Sequence, residues 1–384
     1  MTMPLLENFD IICFSHLRWD FVYQRPQHLL SRFARQSRVF FIEEPVYDAE
    51  SVHYSLRQQA DSNIWIFTPH LPNGVDVQAS QEKLLAALMK EMQIMQYVCW
   101  YYSPMALSHS ASLQPSLIVY DCMDELSAFR YAPHALKQYE SMLFDKADIV
   151  FTGGHHLYKA KQYLHQNIHA FPSSIDKEHF LQARYIMAEP ECQGCIPGPR
   201  IGFYGVIDER FNVSLLKGIA TLHPDWQFIL LGPIVKIDPS SLPAMPNIHL
   251  LGARDYKELP IYLAGWDVAM MPFALNESTK YISPTKTPEY LAGGKPVVST
   301  SIHDVVTPYG KQGLVNIADT VKEFSAAISY ALTQRNDQRW LKRVDTFLGG
   351  ISWDKTYQQM EGLISKTLAD KRKGLSENKR EAYV

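Results

Sequence analysis

At 384 residues the chain is longer than one typical hydrophobic core supports, so it divides into two domains. A hydrophobic fraction of 46% against 20% charged residues excludes a disordered chain, and a formal charge of -3 supplies no general attraction for nucleic acid or anionic lipid. No apolar run is long enough to cross a bilayer, and residues 1–8 lack the basic-then-apolar layout of a signal peptide.

From the N-terminus, short apolar runs at 9–14, 38–42, 64–68, 97–102, 117–120 and 149–152 read as strands. Stretches 24–34 and 82–95 carry apolar residues at helical spacing. This alternation predicts a parallel sheet built from βαβ units. Ligands of such sheets bind beyond the carboxyl ends of the strands. Three loops therefore matter: His16, Arg18, Trp19 and Asp20 after the first run, Asp121 and Asp124 around the end of the fifth, and Gly153-Gly154-His155 after the sixth.

Segment 187–199 is rich in Pro, Gly and Cys and has little periodicity, which marks a domain boundary. The predicted units are 1–190, 200–350 and a C-terminal segment, 351–384. Of five cysteines, Cys13, Cys99 and Cys122 lie in apolar runs and read as small buried hydrophobes. Cys192 and Cys195 form a C-x-x-C with no second ligand pair, so they read as free thiols in a linker. This cysteine usage fits a reducing cytoplasm.

The second half repeats the pattern, with strands at 201–204, 227–231, 248–251, 268–271 and 296–300 and helical periodicity at 213–221 and 256–264. Gly205, Gly232 and Gly252 each follow a strand directly, but their spacing excludes a G-x-G-x-x-G fingerprint. The stretch 282–298 reads as a polar turn with Pro284 and Thr285, a short helix, a Gly-Gly stop and a buried strand. Thr287 is predicted to cap that helix and Pro288 to open it. Glu289 then lies in the first turn, where a carboxylate can accept both hydroxyls of a ribose while free N–H groups meet a diphosphate. The plain alternative is a residue that merely suits a helix start. Segment 352–373 predicts a final helix with Trp353, Tyr357, Met360, Leu363 and Leu368 on its apolar side. The basic run 371–380 reads either as a solvated tail or as an electrostatic contact with a membrane surface.

Taken with segments 19–30, 39–45, 119–125 and 201–208, this layout resembles the GT-B glycosyltransferases. It is most like the family-4-like bacterial enzymes of capsule, exopolysaccharide and teichuronic-acid synthesis. The resemblance implies an α/β fold of two Rossmann-like domains facing a cleft, with the C-terminal helix crossing back to the first domain. It implies a nucleotide-sugar donor, a UDP- or GDP-sugar, on the second domain and a glycan or lipid-linked acceptor on the first. It also implies no cofactor, no nucleic-acid partner and a cytoplasmic location, at the inner membrane face if the tail binds lipid.

Carried onto this sequence, Glu289 matches the second Glu of the family's Glu, seven residues, Glu signature, and binds the ribose. The first falls at Tyr281, so that half is missing, and Val206 replaces an Arg common in the family. Lys286 is the first choice to meet the diphosphate, followed by Arg210 and Lys236; each is otherwise a surface cation. The turns at Gly205 and Gly232, with Pro284 and Thr285, complete the nucleotide-side set. No D-x-D metal motif is evident, so no metal ligand is assigned. Asp124 is the predicted base, with Asp121 orienting it; His16 and Asp20 are further candidates. Arg18, Trp19 and His155 are predicted acceptor contacts, Trp19 by stacking on a sugar face. Two competing readings are a GT-B-fold nucleotide-sugar epimerase and an inactive binding scaffold, the latter suggested by Tyr281 and Val206.

Overall fold

The computed structural model describes residues 9–381, with side chains described as far as Gly374. The signal-peptide reading of residues 1–8 and the side chains of most of the basic run fall outside the described residues.

The first domain is an eight-stranded sheet of β1 (Asp10–Phe14), β2 (Val39–Ile42), β3 (His53–Gln58), β4 (Ile64–His70), β5 (Tyr97–Tyr101), β6 (Leu117–Cys122), β7 (Ile149–Thr152) and β8 (Ile168–Ala170). Its order is β3-β4-β2-β1-β5-β6-β7-β8, parallel except for β3, which pairs antiparallel with β4 at one edge. Central strands such as β1 and β5 are buried on both faces, because helices cover a parallel sheet from either side. That double burial makes them continuous apolar runs, readable in the sequence. The β3 edge strand alternates exposed and half-buried positions and offers no such run.

The second domain is a six-stranded parallel sheet of β9 (Arg200–Tyr204), β10 (Gln227–Leu231), β11 (Ile248–Gly252), β12 (Val268–Met271), β13 (Val297–Ser299) and β14 (Val315–Ile317). The order is β11-β10-β9-β12-β13-β14. The boundary segment is less loose than its composition suggests. It holds a helical turn, Glu191–Gly194, whose Gln193 side chain is buried against the second domain. Gln193 Nε2 donates to the Tyr262 carbonyl at 3.0 Å and its Oε1 accepts from Trp266 Nε1 at 3.0 Å. Cys192 and Cys195 are exposed free thiols, while Cys13, Cys99 and Cys122 are buried.

The C-terminal helix (Trp353–Glu381) crosses back to the first domain. Trp353, Met360, Ile364 and Leu368 join that domain's core, and Asp354 pairs with Arg32 and Arg35. Farther along, Lys371 pairs with Asp148. Where a tail was expected after residue 373, the helix continues. The two crossings between domains meet: the Trp353 amide donates to the Ile175 carbonyl at 3.1 Å. Among the described residues no helix is long and apolar enough to cross a membrane.

Candidate active site

The carboxyl ends of both sheets face each other across a cleft of about 850 Å³. Its walls come from the loops after β1, β6 and β7 on one side and after β9, β10 and β11 on the other. Gly205 and Gly232 turn the chain at the ends of β9 and β10 with φ of +133° and +140°, values that side-chain-bearing residues rarely adopt. A Cβ at Gly232 would sit 1.9 Å from the Gly205 carbonyl oxygen, and one at Gly205 would sit 2.1 Å from Lys286 Cε. The glycines thus let the two turns stack and let the Lys286 stem lie flat on them.

Lys286 places its ammonium in the cleft wall, 5.9 Å from the Phe203 ring centre. Among the described residues it has no carboxylate in salt-bridge range and no hydrogen-bond acceptor. Burial lowers its pKa, and Arg210 adds to that, while Glu289, Asp208 and Asp124 oppose it. Arg210 also lines the cleft, but its guanidinium is held by Asp208 at 2.7–3.1 Å and lies 5.3 Å over Phe129. Lys236 is corrected as a cleft contact. It sits outside the lining, 3.9 Å from Glu209 and 5.3 Å over Phe129, and its carbonyl accepts from Arg130.

Glu289 is 4% exposed and reaches the cleft from the helix Lys286–Ala292. Its Oε2 accepts from the Tyr204 hydroxyl at 2.8 Å. Burial pushes its pKa up to about 7, against the pull of Tyr204 and Lys286. The predicted cap is wrong by two residues. Thr285 already has helical φ/ψ, so the helix opens at Lys286, and the Thr287 hydroxyl is buried 3.5 Å from Met271 Sδ. Pro288 is tolerated there because N–H groups in a helix's first turn have no partner within the helix. Pro284 and Thr285 line the cleft as expected.

On the opposite wall Asp124 is half-buried and faces the cations. Burial raises its pKa to about 6; Arg210, Arg25 and Lys286 pull it down, and Asp208 adds to the rise. Asp121 is not beside it on the wall. It is fully buried and grips Arg25 through three contacts of 2.9–3.1 Å, while Arg25 Nη1 donates to the Phe171 carbonyl at 2.7 Å. Its work is to fix Arg25, which itself lines the cleft.

The first loop corrects four expectations. Trp19 edges the cleft but is only 7% exposed, edge-on to Phe41 at 5.1 Å, with its amide held by Glu43 and its carbonyl by Gln27. Its ring is packed away because Phe41 of β2 covers it, while Glu43 just past β2 and Gln27 of the first helix satisfy both backbone groups. Arg18 turns away to Glu43 and the Pro45 carbonyl. His16 lies outside the lining; burial, then Lys236, lowers its pKa to about 4, and Nδ1 has no partner among the described residues. Asp20 does line the cleft, but it is largely exposed and ion-paired to Arg57, which suits it poorly to proton abstraction. His155 is also off the wall. Its amide and that of His156 donate to Asp304 of the second domain at 2.7 and 3.1 Å, so this helix start is a contact between domains.

Sequence reasoning missed Tyr204, Arg25, Asp208, Phe21 and Tyr256, all but Asp208 in the cleft lining. Tyr204 alone had a signal, as the residue before the first strand-end glycine. Tyr281, at the missing signature Glu, packs on His156 at 5.0 Å and stays outside the lining. Among the described residues no three His, Cys, Asp or Glu side chains cluster as a metal group.

Two parallel-sheet domains with a cleft between their strand ends are the architecture of the GT-B glycosyltransferases, and this chain shares that fold. Residues 198–334 match the family model described as Glycosyl transferases group 1, which covers the second domain's sheet. A Bacillus subtilis (strain 168) protein assigned to teichuronic acid biosynthesis as a glycosyltransferase, TuaH, is 25% identical over 282 residues, 68% of this chain and 70% of its own. Among solved structures, a sucrose-phosphate synthase of Thermosynechococcus elongatus superimposes with a TM-score of 0.71 at 13% identity, covering 94% of this chain and all of its own. An E. coli trehalose-6-phosphate protein, bound with UDP-2-fluoro glucose, gives 0.65 at 10% identity over 94% and 99%.

Proposed function

We propose that the protein moves a sugar from a nucleoside-diphosphate donor, held by the second domain, to a hydroxyl of a glycan or lipid-linked glycan held by the first. The setting is bacterial surface-polysaccharide synthesis at the cytoplasmic side, in line with the assignment of the Bacillus relative. The observation that carries the reading is Lys286. A half-buried ammonium with no salt-bridge partner among the described residues is costly, and here it lies on a glycine turn one helical turn from a cleft-facing carboxylate.

A nucleoside diphosphate answers both groups. Its phosphates supply a direct ion-pair partner to Lys286, with Arg210 as a second cation, and its ribose hydroxyls donate to Glu289. These two cations stabilise the diphosphate as it leaves, so the proposed reaction assigns that charge to side chains. Asp124 takes the proton from the attacking hydroxyl. Its pKa of about 6 leaves it ionised at neutral pH yet close enough to pH 7 for efficient transfer. In-line attack helped by that base predicts an inverted anomeric centre; NMR of the product distinguishes this from retention, which would remove Asp124 from the role of base.

Calorimetry with UDP, GDP and ADP tests the donor half. One of them binds the wild type, and Glu289→Ala lowers that affinity by roughly 1.5–3 kcal/mol. An unaltered affinity removes Glu289 from the site. Incubation with labelled nucleotide sugars then separates transfer from isomerisation and from binding alone.

A further inference from the structure

Because Trp19 is pinned in the core, the next residues of the same loop are thrown outward. Phe21 is 47% exposed, lines the cleft and, among the described residues, stacks on no other ring. Beside it the first-domain wall continues through Ser31 of the Arg25–Phe33 helix and through Gln59 and Ser62 of the β3–β4 turn. These residues also edge a second depression of about 630 Å³, which extends the cleft toward Gln58 and Asn63. The charges along this path are mostly cancelled. Asp20 pairs with Arg57, and Arg35 pairs with Asp354, leaving Asp61 at the far end.

A bare aromatic face followed by amides and hydroxyls with little net charge matches a chain of neutral pyranoses. Apolar sugar faces pack on rings, and sugar hydroxyls exchange hydrogen bonds with amides. It does not match a phosphate, which would want cations, and Asp61 would repel one. We infer that this groove holds the acceptor as an oligosaccharide, with one pyranose on Phe21 and the preceding sugars running past Gln59 and Ser62 toward Asn63. The inference rests on the proposed donor reading only for which end of the chain is extended.

The test is calorimetry on the full chain, first with UDP and GDP, then with cello- and chito-oligosaccharides of one to five units in the presence of the nucleotide. Affinity is expected to climb from one to at least three units. Phe21→Ala should weaken trisaccharide binding roughly tenfold, about the value of one ring stack, while Phe21→Trp retains it. Nucleotide affinity should be the same in all three proteins. Length-independent affinity, no oligosaccharide binding, or wild-type trisaccharide affinity in Phe21→Ala overturns the groove. If nucleotide binds and oligosaccharide does not, the donor reading stands and this one falls. If length-dependent oligosaccharide binding occurs without nucleotide binding, the groove stands and the donor reading falls.

Discussion

Glu289 is held in a setting that resists its charge. Its pKa near 7 lies above the ordinary carboxylate value, so the unfolded chain ionises at lower pH than the folded one. The folded protein therefore loses stability through this group as pH rises from about 4.5 to 7, and the loss is complete above that. Glu289→Gln should stabilise the nucleotide-free protein at pH 8 by on the order of 1–3 kcal/mol, and by nothing at pH 4. The same variant should bind nucleotide more weakly. Paired denaturation and calorimetry at both pH values check this; equal stability gains at pH 4 and 8 would show that packing, not charge, is responsible. For Asp124 as the proposed base, the direction of the rate follows from ionisation: kcat should fall as pH drops through about 6, where that carboxylate becomes protonated. Asp124→Asn should lower kcat by about 10²–10⁴-fold and abolish that limb while leaving nucleotide affinity nearly intact. Lys286→Gln should act on nucleotide affinity above all, since its proposed partner is the diphosphate.

At the scale of elements, what could be read in the sequence depended on how local its cause was. Strands such as β1 and β12 announced themselves because burial on both faces demands unbroken apolar runs. The edge strands β3 and β14 and the short β8 did not, since pairing with a neighbour defines them more than composition does. The same division runs through the site. The position of Glu289 and Lys286 in the cleft wall was legible because one short motif carries both. Asp121 was misread because its partner, Arg25, is 96 residues away, and Trp19 because its cover comes from β2 and a helix. The Asp304 contact is an element-scale device of this kind, a carboxylate from one domain capping a helix of the other. Asp304→Ala should cost about 0.5–2 kcal/mol, the usual range for a lost cap, measured by chemical denaturation. No measurable change would mean that water replaces it without penalty.

Across the whole molecule, the C-terminal helix belongs by packing to the domain it does not follow in sequence. Trp353 is fully buried, stacked 4.7 Å from His28, and closes the first core. Trp353→Ala should destabilise by about 3–5 kcal/mol, read as a shift in denaturation midpoint. Truncation after Leu368 probes a different property. It removes Lys371 and its pair with Asp148 together with the basic run, so activity toward a vesicle-embedded acceptor reports on membrane contact, while activity toward a soluble oligosaccharide controls for folding.

The bond from Trp353 to Ile175 has a mechanical meaning. It fastens the two backbone passages between the lobes to each other, and the Asp304 contact with the amides of His155 and His156 ties the lobes at a second place. Alterations at that fastening, which touches no substrate, should change how fast the jaws move and so shift turnover and apparent affinity together.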